Sequence, residues 1–319
     1  MKTLLLNNTD VGKLIDLDDI YKKVEEGYKS FNSGKIVQPP IMHIISPTTG
    51  KGFDFKSCLN EDSGFFSNKA SSGPYNYVEL YDADTTELVC IMEGNYIRNL
   101  RTAAGAAIAN NYLSRKDAKS YFAFGTGRIG KAALRATMRV RDLKDVYVFG
   151  FLEGENDAYI EEMKKDFPNV NFHSCKTVEE GCRNADIIVS VTLAKKGPQI
   201  FKKWLKPGTH ITEIGVDSPG KQELDASCFD GTKIYNDTVD MCTLYGDTHN
   251  AIEAGVITAE NIVGEIGEVI LGKKPGREND EEITVYDTVG MGIQDNAMAV
   301  ALYEKAVEQG MGAEFDFSK

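Results

Sequence analysis

The feature that most constrains the fold is a glycine-rich loop near the middle of the chain. Residues 125–130 read Gly-Thr-Gly-Arg-Ile-Gly; they follow the apolar run 121–124 and precede a helical stretch. In a strand–loop–helix unit, the first glycine makes the tight turn, the second lets the backbone approach a pyrophosphate, and the third packs the helix on the strand. The helix N-terminus adds N–H donors and positive potential. The loop therefore predicts a dinucleotide site, with a glycine-rich turn that binds no ligand as the alternative.

Segments around and after this loop alternate between strand and helix patterns. The predicted strands lie at 120–124, 145–149, 170–173, 187–192 and 210–216. The predicted helices between them lie at 130–140, 156–165 and 178–183. Because such alternation is typical of βαβ units, it predicts an α/β fold with a Rossmann-type, doubly wound parallel sheet.

The N-terminal third of the chain has a different pattern. An amphipathic helix is predicted at 18–31, and the short β-rich runs that follow it are separated by turn residues, which predicts an antiparallel sheet. These runs lie at 41–45, 65–70, 77–81 and 88–93, and an alanine-rich helix follows at 99–113. A last amphipathic helix, at 296–310, would pack back on this region. The 319 residues are enough for two domains, at roughly 100–200 residues each.

Composition excludes several classes of partner. Lys and Arg number 36 and Asp and Glu 48, so the net charge is -12. This balance argues against a surface for nucleic acid or acidic lipid. No apolar run approaches the ~20 residues of a membrane span, and polar residues interrupt the N-terminus too early for a signal peptide. The six cysteines include no C-x-x-C pair, so we expect reduced thiols and a cytoplasmic protein.

The choice between NAD and NADP is usually made at the end of the second strand of such a unit. An acid about 20 residues after the loop binds the ribose, whereas an Arg accommodates a 2′-phosphate. Here the chain reads Gly150-Phe151-Leu152-Glu153. There is no Arg, and Glu153 is the nearest acid. We therefore expect NAD(H) to be preferred over NADP(H).

Three charged residues are candidates for the chemistry. Asp217 follows a predicted strand, at the edge of the sheet where ligands collect, and could exchange protons with an amine or imine. A turn aspartate bonded to its own backbone is the alternative. Lys69 and Arg101 are cations that could bind a substrate carboxylate. Taken singly, each would more often be a solvated surface charge.

Other catalytic signatures are missing from the sequence. His43, His173, His210 and His249 do not have the spacing of metal ligands such as H-E-x-x-H, so we expect no metal. There is also no Gly-x-Ser-x-Gly segment. The sequence therefore lacks the usual signature of hydrolysis by a serine nucleophile.

A series of ordered motifs over about residues 60–300 resembles the ornithine cyclodeaminase and mu-crystallin family. They are Lys69, Asp-Ala-Asp-Thr at 82–85, Arg-Thr-Ala-Ala at 101–104, the 125–130 loop, Trp-Leu-Lys-Pro-Gly-Thr-His at 204–210, Gly-Val-Asp-Ser-Pro-Gly-Lys-Gln-Glu-Leu at 215–224, Gly-Asp at 246–247, Gly-Glu-Ile-Gly at 264–267, Lys-Pro-Gly-Arg at 274–277 and Thr-Val-Tyr-Asp-Thr-Val-Gly at 284–290.

The resemblance implies an NAD(P)-dependent oxidoreductase that acts on the carbon–nitrogen bond of a small amino acid or imine, as an amino-acid dehydrogenase or an imine or ketimine reductase. One alternative is an ornithine cyclodeaminase that converts L-ornithine to L-proline and ammonia. Another is a non-catalytic, mu-crystallin-like protein whose binding depends on a nucleotide. The resemblance also implies a homodimer. Its substrate-binding and dimerisation domain would comprise residues 1–113 and 294–319, with a dinucleotide-binding domain, 114–293, inserted between them.

Site residues carried over from the family fall into three groups. Lys69 and Asp217 would be catalytic, and Asp217 would handle the proton of the amine or of water. The substrate would be bound by Lys69, Arg101 and Gly290. The cofactor would be bound by Thr102, Gly125, Thr126, Gly127, Arg128, Ile129, Gly130, Glu153, Thr192, Val216, Asp217 and Thr288.

The chain departs from the family at one place in the first domain. Many relatives carry an Arg for the substrate carboxylate just after a proline, where this chain reads Pro-Pro-Ile-Met-His at 39–43. Losing a hydrogen bond to a charged group costs about 1.5–3 kcal/mol. The substrate would then differ from ornithine, or another cation such as Lys56 would replace the Arg.

Overall fold

The computed structural model describes residues 2–195, 197–218 and 220–319. Met1, Lys196 and Pro219 lie outside the described residues, and Pro219 belongs to the 215–224 motif. The chain divides into two compact units. Unit 1 is Met1–Gly105 together with Met291–Lys319, and unit 2 is Ala106–Gly290.

Both units contain strands and α-helices. The strands, numbered in chain order, are β1 (Lys2–Leu6), β2 (Ile36–Val37), β3 (Met42–Ile45), β4 (Gly52–Asn60), β5 (Phe65–Ser72), β6 (Tyr75–Asp82), β7 (Leu88–Glu93), β8 (Ser120–Phe124), β9 (Asp145–Phe149), β10 (Asn171–Ser174), β11 (Ile187–Ser190), β12 (His210–Glu213), β13 (Lys233–Asn236), β14 (Ile262–Glu265), β15 (Thr284–Asp287) and β16 (Ala313–Asp316). The α-helices are α1 (Asn8–Leu14), α2 (Leu17–Asn32), α3 (Asn95–Leu113), α4 (Arg128–Thr137), α5 (Glu155–Asp166), α6 (Val178–Asn184), α7 (Val239–Tyr245), α8 (Asp247–Glu253), α9 (Ile266–Ile270) and α10 (Gly292–Gln309).

The limits of the two units differ from the expected boundaries at 113/114 and 293/294. The chain passes from unit 1 to unit 2 at Gly105, within α3. The C-terminal half of this helix packs in unit 2 because Ala106 lies in an apolar cluster with Leu134. In addition, the Asn110 side chain donates to the Thr137 hydroxyl over 2.8 Å. A helix shared in this way has no composition change at the boundary, so the sequence pattern could not locate it.

Unit 1 contains a mainly antiparallel sheet. Its strand order is β16-β1-β7-β6-β5-β4-β2, with β3 paired to β4, and only the β1–β7 pairing is parallel among the strands described. Helices α2 and α10 pack closely because Gly27 has no side chain: a Cβ there would lie 3.0 Å from Ile293 Cγ1. A Cβ on Gly292 would lie 2.6 Å from the Ser57 carbonyl oxygen, so the start of α10 lies directly on β4.

Unit 2 contains a parallel sheet with strand order β10-β9-β8-β11-β12-β15-β13-β14. Side chains of β8 alternate between two apolar clusters: Tyr121 and Ala123 pack in one, Phe122 and Phe124 in the other. A parallel sheet buried on both faces is the doubly wound arrangement. The expected fold class, with its parallel sheet and its mainly antiparallel sheet, is confirmed.

Some elements differ from the sequence prediction. Strands β1, β2, β4 and β13 to β16 were not predicted. The strands of four residues are too short to show a periodicity, and pairing with their neighbours stabilises them. Strands β11 and β12 end at Ser190 and Glu213, before the predicted 192 and 216. Beyond the ends of these strands, the Thr192 and Val216 N–H groups bond to buried acidic side chains instead of to a neighbouring strand, as described below.

No helix within 2–195, 197–218 or 220–319 has both the length and the apolar character needed to cross a membrane.

Candidate active site

Two cations of unit 1 converge on one buried carboxylate. The Lys69 ammonium, on β5, donates to Asp295 Oδ2, and Arg101 Nε, on α3, donates to Asp295 Oδ1 over 3.1 Å. The exposed fractions are 3% for Lys69, 6% for Arg101 and 1% for Asp295. Neither cation is therefore a solvated surface charge, which was the alternative for each.

A hydrogen-bond network holds Arg101 in this position. Arg101 Nη1 donates to Gln294 Oε1 over 2.8 Å, and Gln294 Nε2 donates to the Tyr28 hydroxyl over 2.6 Å. Gly105 makes the network possible, since a Cβ there would lie 2.7 Å from Gln294 Nε2 and 2.8 Å from the Tyr28 oxygen. A glycine is unfavourable inside a helix. The one in the alanine-rich helix α3 is explained by this close approach.

We call Lys56, Lys69, Arg101 and Asp295 the cation cluster, and its environment shifts the pKa of Lys69 and of Asp295. Burial lowers the pKa of Lys69 to about 7; Asp295 opposes this, while Arg101 and Lys56 lower it further. Burial would raise the pKa of Asp295, but the three cations hold it below its ordinary value. Lys56 lies directly opposite Lys69 in the β4–β5 pairing. Three cations around one carboxylate leave positive charge for an anionic ligand.

Sequence reasoning missed Asp295 and Gln294. The available signal was the polar run Gln-Asp-Asn at 294–296, in the first turns of a helix that is otherwise largely apolar. Buried polar residues require partners, so such a run indicates a network.

Two other predicted positions of unit 1 have local partners. In the segment 39–43, His43 Nδ1 lies 2.7 Å from Asp54 Oδ1, across the β3–β4 pairing. Thr102, a predicted cofactor residue, donates its hydroxyl hydrogen to the Arg98 carbonyl oxygen over 2.7 Å.

In unit 2, the glycine-rich loop lies between β8 and α4. Gly125 has φ 119°, and a Cβ there would lie 2.3 Å from the Val191 carbonyl oxygen. A Cβ on Gly130 would lie 2.2 Å from the Gly125 carbonyl oxygen. At Gly127, which caps α4, an added Cβ would have no described atom within 4 Å. Packing therefore requires two of the glycines, and the third leaves open space at a helix N-terminus, where phosphate groups commonly bind.

The remaining loop residues differ in exposure. Arg128 is exposed, Thr126 and Ile129 are half-buried, and Glu153 is exposed in the turn that follows β9. Asp217 directly follows the buried Val216 and is half-exposed, with 52% of its side chain accessible. The Lys221 ammonium donates to Asp217 Oδ1, and the Ser218 hydroxyl lies 3.4 Å from the same oxygen.

Buried acids hold the loops that follow β11 and β12. Glu223 Oε1 accepts from the Thr192 backbone N–H at 2.5 Å, and its Oε2 accepts from the Ser190 hydroxyl at 2.6 Å. Glu213 Oε1 accepts from the Val216 N–H at 2.9 Å. Two predicted cofactor residues, Thr192 and Val216, are thus each positioned by a carboxylate that sequence reasoning missed.

A third acid does the same at the end of β15. Asp237 Oδ2 accepts from the Thr288 hydroxyl at 2.5 Å and from the Gly290 N–H at 2.7 Å. The signal in the sequence was the polar pair Asn236-Asp237 at the end of strand β13. The structure brings Thr288 and Gly290 together through this side chain.

Glu213 and two further carboxyl groups, those of Asp247 and Asp287, form what we call the acid cluster. Burial raises the pKa of each, and Asp287 raises the pKa of Asp247 further by its charge. The negative charges of Asp247 and Asp287 also act on Glu213. Asp247 Oδ2 accepts the N–H groups of Glu223 and Leu224 at 3.1 and 2.8 Å. The raised pKa values favour the protonated forms of these groups, and the cluster serves as a hydrogen-bonding support.

The histidines and acids of the described residues form no group of three or more that could hold a metal ion. His210, in β12, bonds instead to hydroxyl groups: Nδ1 lies 2.8 Å from Thr284 Oγ1 and Nε2 lies 3.0 Å from Thr212 Oγ1. Burial lowers its pKa well below the ordinary value, so it is a neutral core residue.

Known proteins resemble this chain over its whole length. An alanine dehydrogenase of Archaeoglobus fulgidus is 32% identical, across 99% of this chain and 99% of its own. The structure of a Δ1-pyrroline-2-carboxylate reductase of Thermococcus litoralis, in complex with NADH and L-proline, superposes with a TM-score of 0.94 at 28% identity, covering 98% of this chain and 99% of that one. An archaeal alanine dehydrogenase dimer with bound NAD has a TM-score of 0.93 at 31% identity, covering 99% of this chain and 100% of that one.

The model of one protein family matches residues 1–310. This match spans all the motifs from Lys69 to Gly290 and confirms the resemblance found in the sequence. The chain belongs to the ornithine cyclodeaminase/mu-crystallin family.

Proposed function

We propose that this chain is an NAD(P)-dependent oxidoreductase acting on the carbon–nitrogen bond of a small amino acid or imine, as an amino-acid dehydrogenase or an imine reductase. The relatives described above are named as an alanine dehydrogenase and a pyrroline-2-carboxylate reductase. Alanine and pyrroline-2-carboxylate both carry a carboxylate beside the carbon that is bonded to nitrogen. A substrate of this class needs a cationic binding site and a group that transfers protons.

The cation cluster is the observation that carries the proposal. Lys69 and Arg101 are buried and held in fixed positions by Asp295, and an anionic substrate would balance their remaining positive charge. Arg101 would bind the carboxylate, for which its guanidinium geometry is suited. Lys56 would contribute a further positive charge where relatives use an Arg. We assign Gly290, held by Asp237, to the substrate as well.

Lys69 and Asp217 are the proposed proton-transfer groups. With a pKa of about 7, Lys69 exists in both protonation states near neutral pH, so it can donate a proton and take it back. Asp217 is half-exposed and can exchange a proton with an amine or with water. In the reductive direction the substrate carbon receives a hydride, and its nitrogen receives a proton from one of these groups.

The 125–130 loop would hold the cofactor, with the open space at Gly127 supporting a pyrophosphate there. A nicotinamide supplies or accepts the hydride. Thr102, Thr192, Val216 and Thr288 are the other residues assigned to cofactor binding. We propose that NAD(H) is preferred over NADP(H), since no Arg follows β9.

We also propose that the protein is a homodimer that uses unit 1. Met42, Ile44 and Phe53 are exposed, and Ile44 pairs with Phe53 across strands β3 and β4. Adjacent exposed apolar side chains mark interaction surfaces. The alanine dehydrogenase structure described above is a dimer. Sedimentation equilibrium, giving the mass of one or of two chains, tests the assignment.

We propose that the protein is located in the cytoplasm, because its cysteines are of the kind found in a reducing compartment. All six are buried free thiols. Burial raises the pKa of Cys58 and Cys90 to about 12, so their thiolate forms are not populated.

An activity screen tests the proposed function. Purified protein is given cyclic imines, or 2-oxo acids with ammonia, together with NADH or NADPH, and the nicotinamide absorbance is followed. We expect stoichiometric oxidation of the cofactor with at least one substrate. A cyclodeaminase would instead release ammonia from ornithine with catalytic NAD and no net NADH. Tight NADH binding with no turnover of any substrate would identify a nucleotide-dependent binding protein.

A further inference from the structure

The end of strand β9 has an unusual arrangement of acids. In a dinucleotide-binding unit this position usually carries the side chain that contacts the adenosine ribose. Here the position is occupied by Gly150, which has no side chain. The next residue, Phe151, packs back on the sheet, and its ring centroid lies 5.6 Å from the ring centroids of Phe124 and Phe149. The residue at the usual position therefore has no side chain that could contact a ribose.

The carboxylate of Glu155 fills the place that a side chain at 150 would take. A Cβ built on Gly150 would lie 2.6 Å from Glu155 Oε2 and 2.9 Å from Thr126 Oγ1. Thr126 belongs to the glycine-rich loop. The carboxylate of Glu155 thus lies between the end of β9 and that loop, although it comes from the first turn of α5.

Local hydrogen bonds keep Glu155 in this position. The Leu152 N–H donates to Glu155 Oε2 over 3.0 Å. The Gly150 N–H donates to Asn156 Oδ1 over 2.7 Å, and Asn156 Nδ2 donates to the Cys175 carbonyl oxygen over 3.1 Å. These bonds tie the turn after β9 to the start of α5 and to the end of β10.

Glu153, the acid nearest to the strand end in sequence, is placed differently. It is exposed, whereas Glu155 is half-buried beside Gly150. Gly154, with φ 81°, turns the chain between them and returns it towards the sheet. Proximity in sequence and proximity in space therefore select different residues.

We propose that Glu155, rather than Glu153, is the residue that selects NAD(H) over NADP(H), an inference that rests on the proposed function. Its carboxylate accepts hydrogen bonds from the hydroxyl groups of the adenosine ribose. The same negative charge repels the 2′-phosphate of NADP(H). Thr126, beside it, places this contact next to the phosphate-binding loop.

Direct binding measurements on four variants test the assignment. Isothermal titration calorimetry with NADH and with NADPH, in the absence of substrate, gives both dissociation constants. Glu155→Gln keeps an acceptor for the Leu152 N–H but loses the charge, and Glu155→Arg reverses the charge. Glu153→Gln represents the competing assignment. Asp157→Asn removes another acid from the first turn of α5 and is the matched control.

We expect wild type to bind NADH more tightly than NADPH. In Glu155→Gln the ratio of the two dissociation constants should shift towards NADPH by about tenfold or more, the effect of losing a hydrogen bond to a charged group. Glu155→Arg should shift it further, because Arg accommodates a 2′-phosphate. Glu153→Gln and Asp157→Asn should keep the wild-type ratio. Thermal unfolding of each variant verifies that it is folded.

An unchanged ratio in both folded Glu155 variants would overturn the assignment, as would a shift in Glu153→Gln that equals or exceeds theirs. A wild-type preference for NADPH would also overturn it, while leaving the proposed oxidoreductase activity intact. If wild type bound neither nucleotide, the proposed function itself would fail, and this assignment with it.

Discussion

Each unit of the molecule buries charged side chains, but the two stabilise them in opposite ways. In unit 1, the cation cluster pairs one carboxylate with cations, so Asp295 stays ionised with a pKa below its ordinary value. In unit 2, the acid cluster brings carboxyl groups together, and burial raises the pKa of Glu213, Asp247 and Asp287. The first arrangement favours charged side chains in the protein interior, and the second favours protonated, neutral carboxyl groups.

The two clusters differ in role: the cation cluster is suited to catalysis, and the acid cluster is suited to supporting nearby loops. Buried charges that remain ionised attract an ionic ligand, and a lysine whose pKa lies near 7 can transfer protons. Protonated carboxyl groups are neutral and serve as hydrogen-bonding groups for nearby loops. We therefore expect substitutions in the cation cluster to affect catalysis and stability strongly. Charge-neutral substitutions in the acid cluster should change mainly the pH dependence of stability.

Lys69→Ala should have the largest effect. It removes a proposed proton-transfer group, and such groups contribute about 10²–10⁴-fold to rate. Turnover with the substrate found in the screen should fall by that factor, while the dissociation constant for NADH stays within a few-fold of wild type. Lys51→Met, a change in an exposed loop of unit 1, is the control. Wild-type turnover in Lys69→Ala would remove Lys69 from the mechanism.

Asp217→Asn should lose most turnover, by about 10²-fold. The amide preserves the size of the side chain but cannot take up a proton. NADH binding, measured by calorimetry, should again stay within a few-fold of wild type. If the variant is fully active, Asp217 is a turn residue and the alternative from the sequence is correct.

Asp295→Ala should strongly reduce stability. It leaves Lys69 and Arg101 buried without their carboxylate, and breaking a buried ion pair from one side costs about 3–5 kcal/mol. Urea unfolding followed by circular dichroism measures the loss. Glu308→Ala, at an exposed site on the same helix α10, should change the free energy of unfolding by less than about 0.5 kcal/mol. Equal effects of the two substitutions would contradict the ion-pair account.

Glu213→Gln should have the smallest effect, visible as a change in pH dependence. Because the folded-state pKa of Glu213 is raised, this group's contribution to the free energy of unfolding is fully present below its unfolded pKa of about 4.5 and is lost as pH rises through the folded-state pKa. Gln mimics the protonated acid and has no such loss. Urea unfolding across a pH series should therefore favour the variant increasingly as pH rises.

The contribution of Lys69 to the free energy of unfolding changes with pH in the opposite direction to that of Glu213. Its folded-state pKa of about 7 lies below the ordinary 10.5, so its contribution to the free energy of unfolding increases between these two pH values. Lys69→Ala should abolish that increase.

For the Glu213→Gln prediction, parallel pH profiles of the free energy of unfolding for wild type and variant would show that the acid cluster does not hold a proton.

Much of the fold could be predicted from the sequence because its longest elements have clear periodicity. Helix α2 and strands β8 and β9 lie within one or two residues of their predicted positions. Strand β4 was missed because the alternation of apolar and polar residues in the segment 52–60 ends after Lys56, and the first half of the segment is largely exposed. Pairing with β5 on one side and with β2 and β3 on the other defines it.

The residues of the candidate site were likewise predicted only in part from the sequence. Lys69, Arg101 and Asp217 could be identified from residue type and motif. Asp295 could not, since 226 residues separate it from Lys69 and 194 from Arg101. Glu223 and Glu213 were missed because their role is to bond the backbone at Thr192 and Val216, which leaves no motif of its own.

By itself, the sequence determined the parallel sheet, the glycine-rich loop and the family, because these depend on local spacing and on the order of motifs along the chain. Only the tertiary structure decided which charges neutralise each other and which acid lies beside Gly150. The physical reason is that a pKa and a charge contact depend on burial and on distance in space. Residues far apart in the chain, such as Lys69 and Asp295, acquire both only when the chain folds.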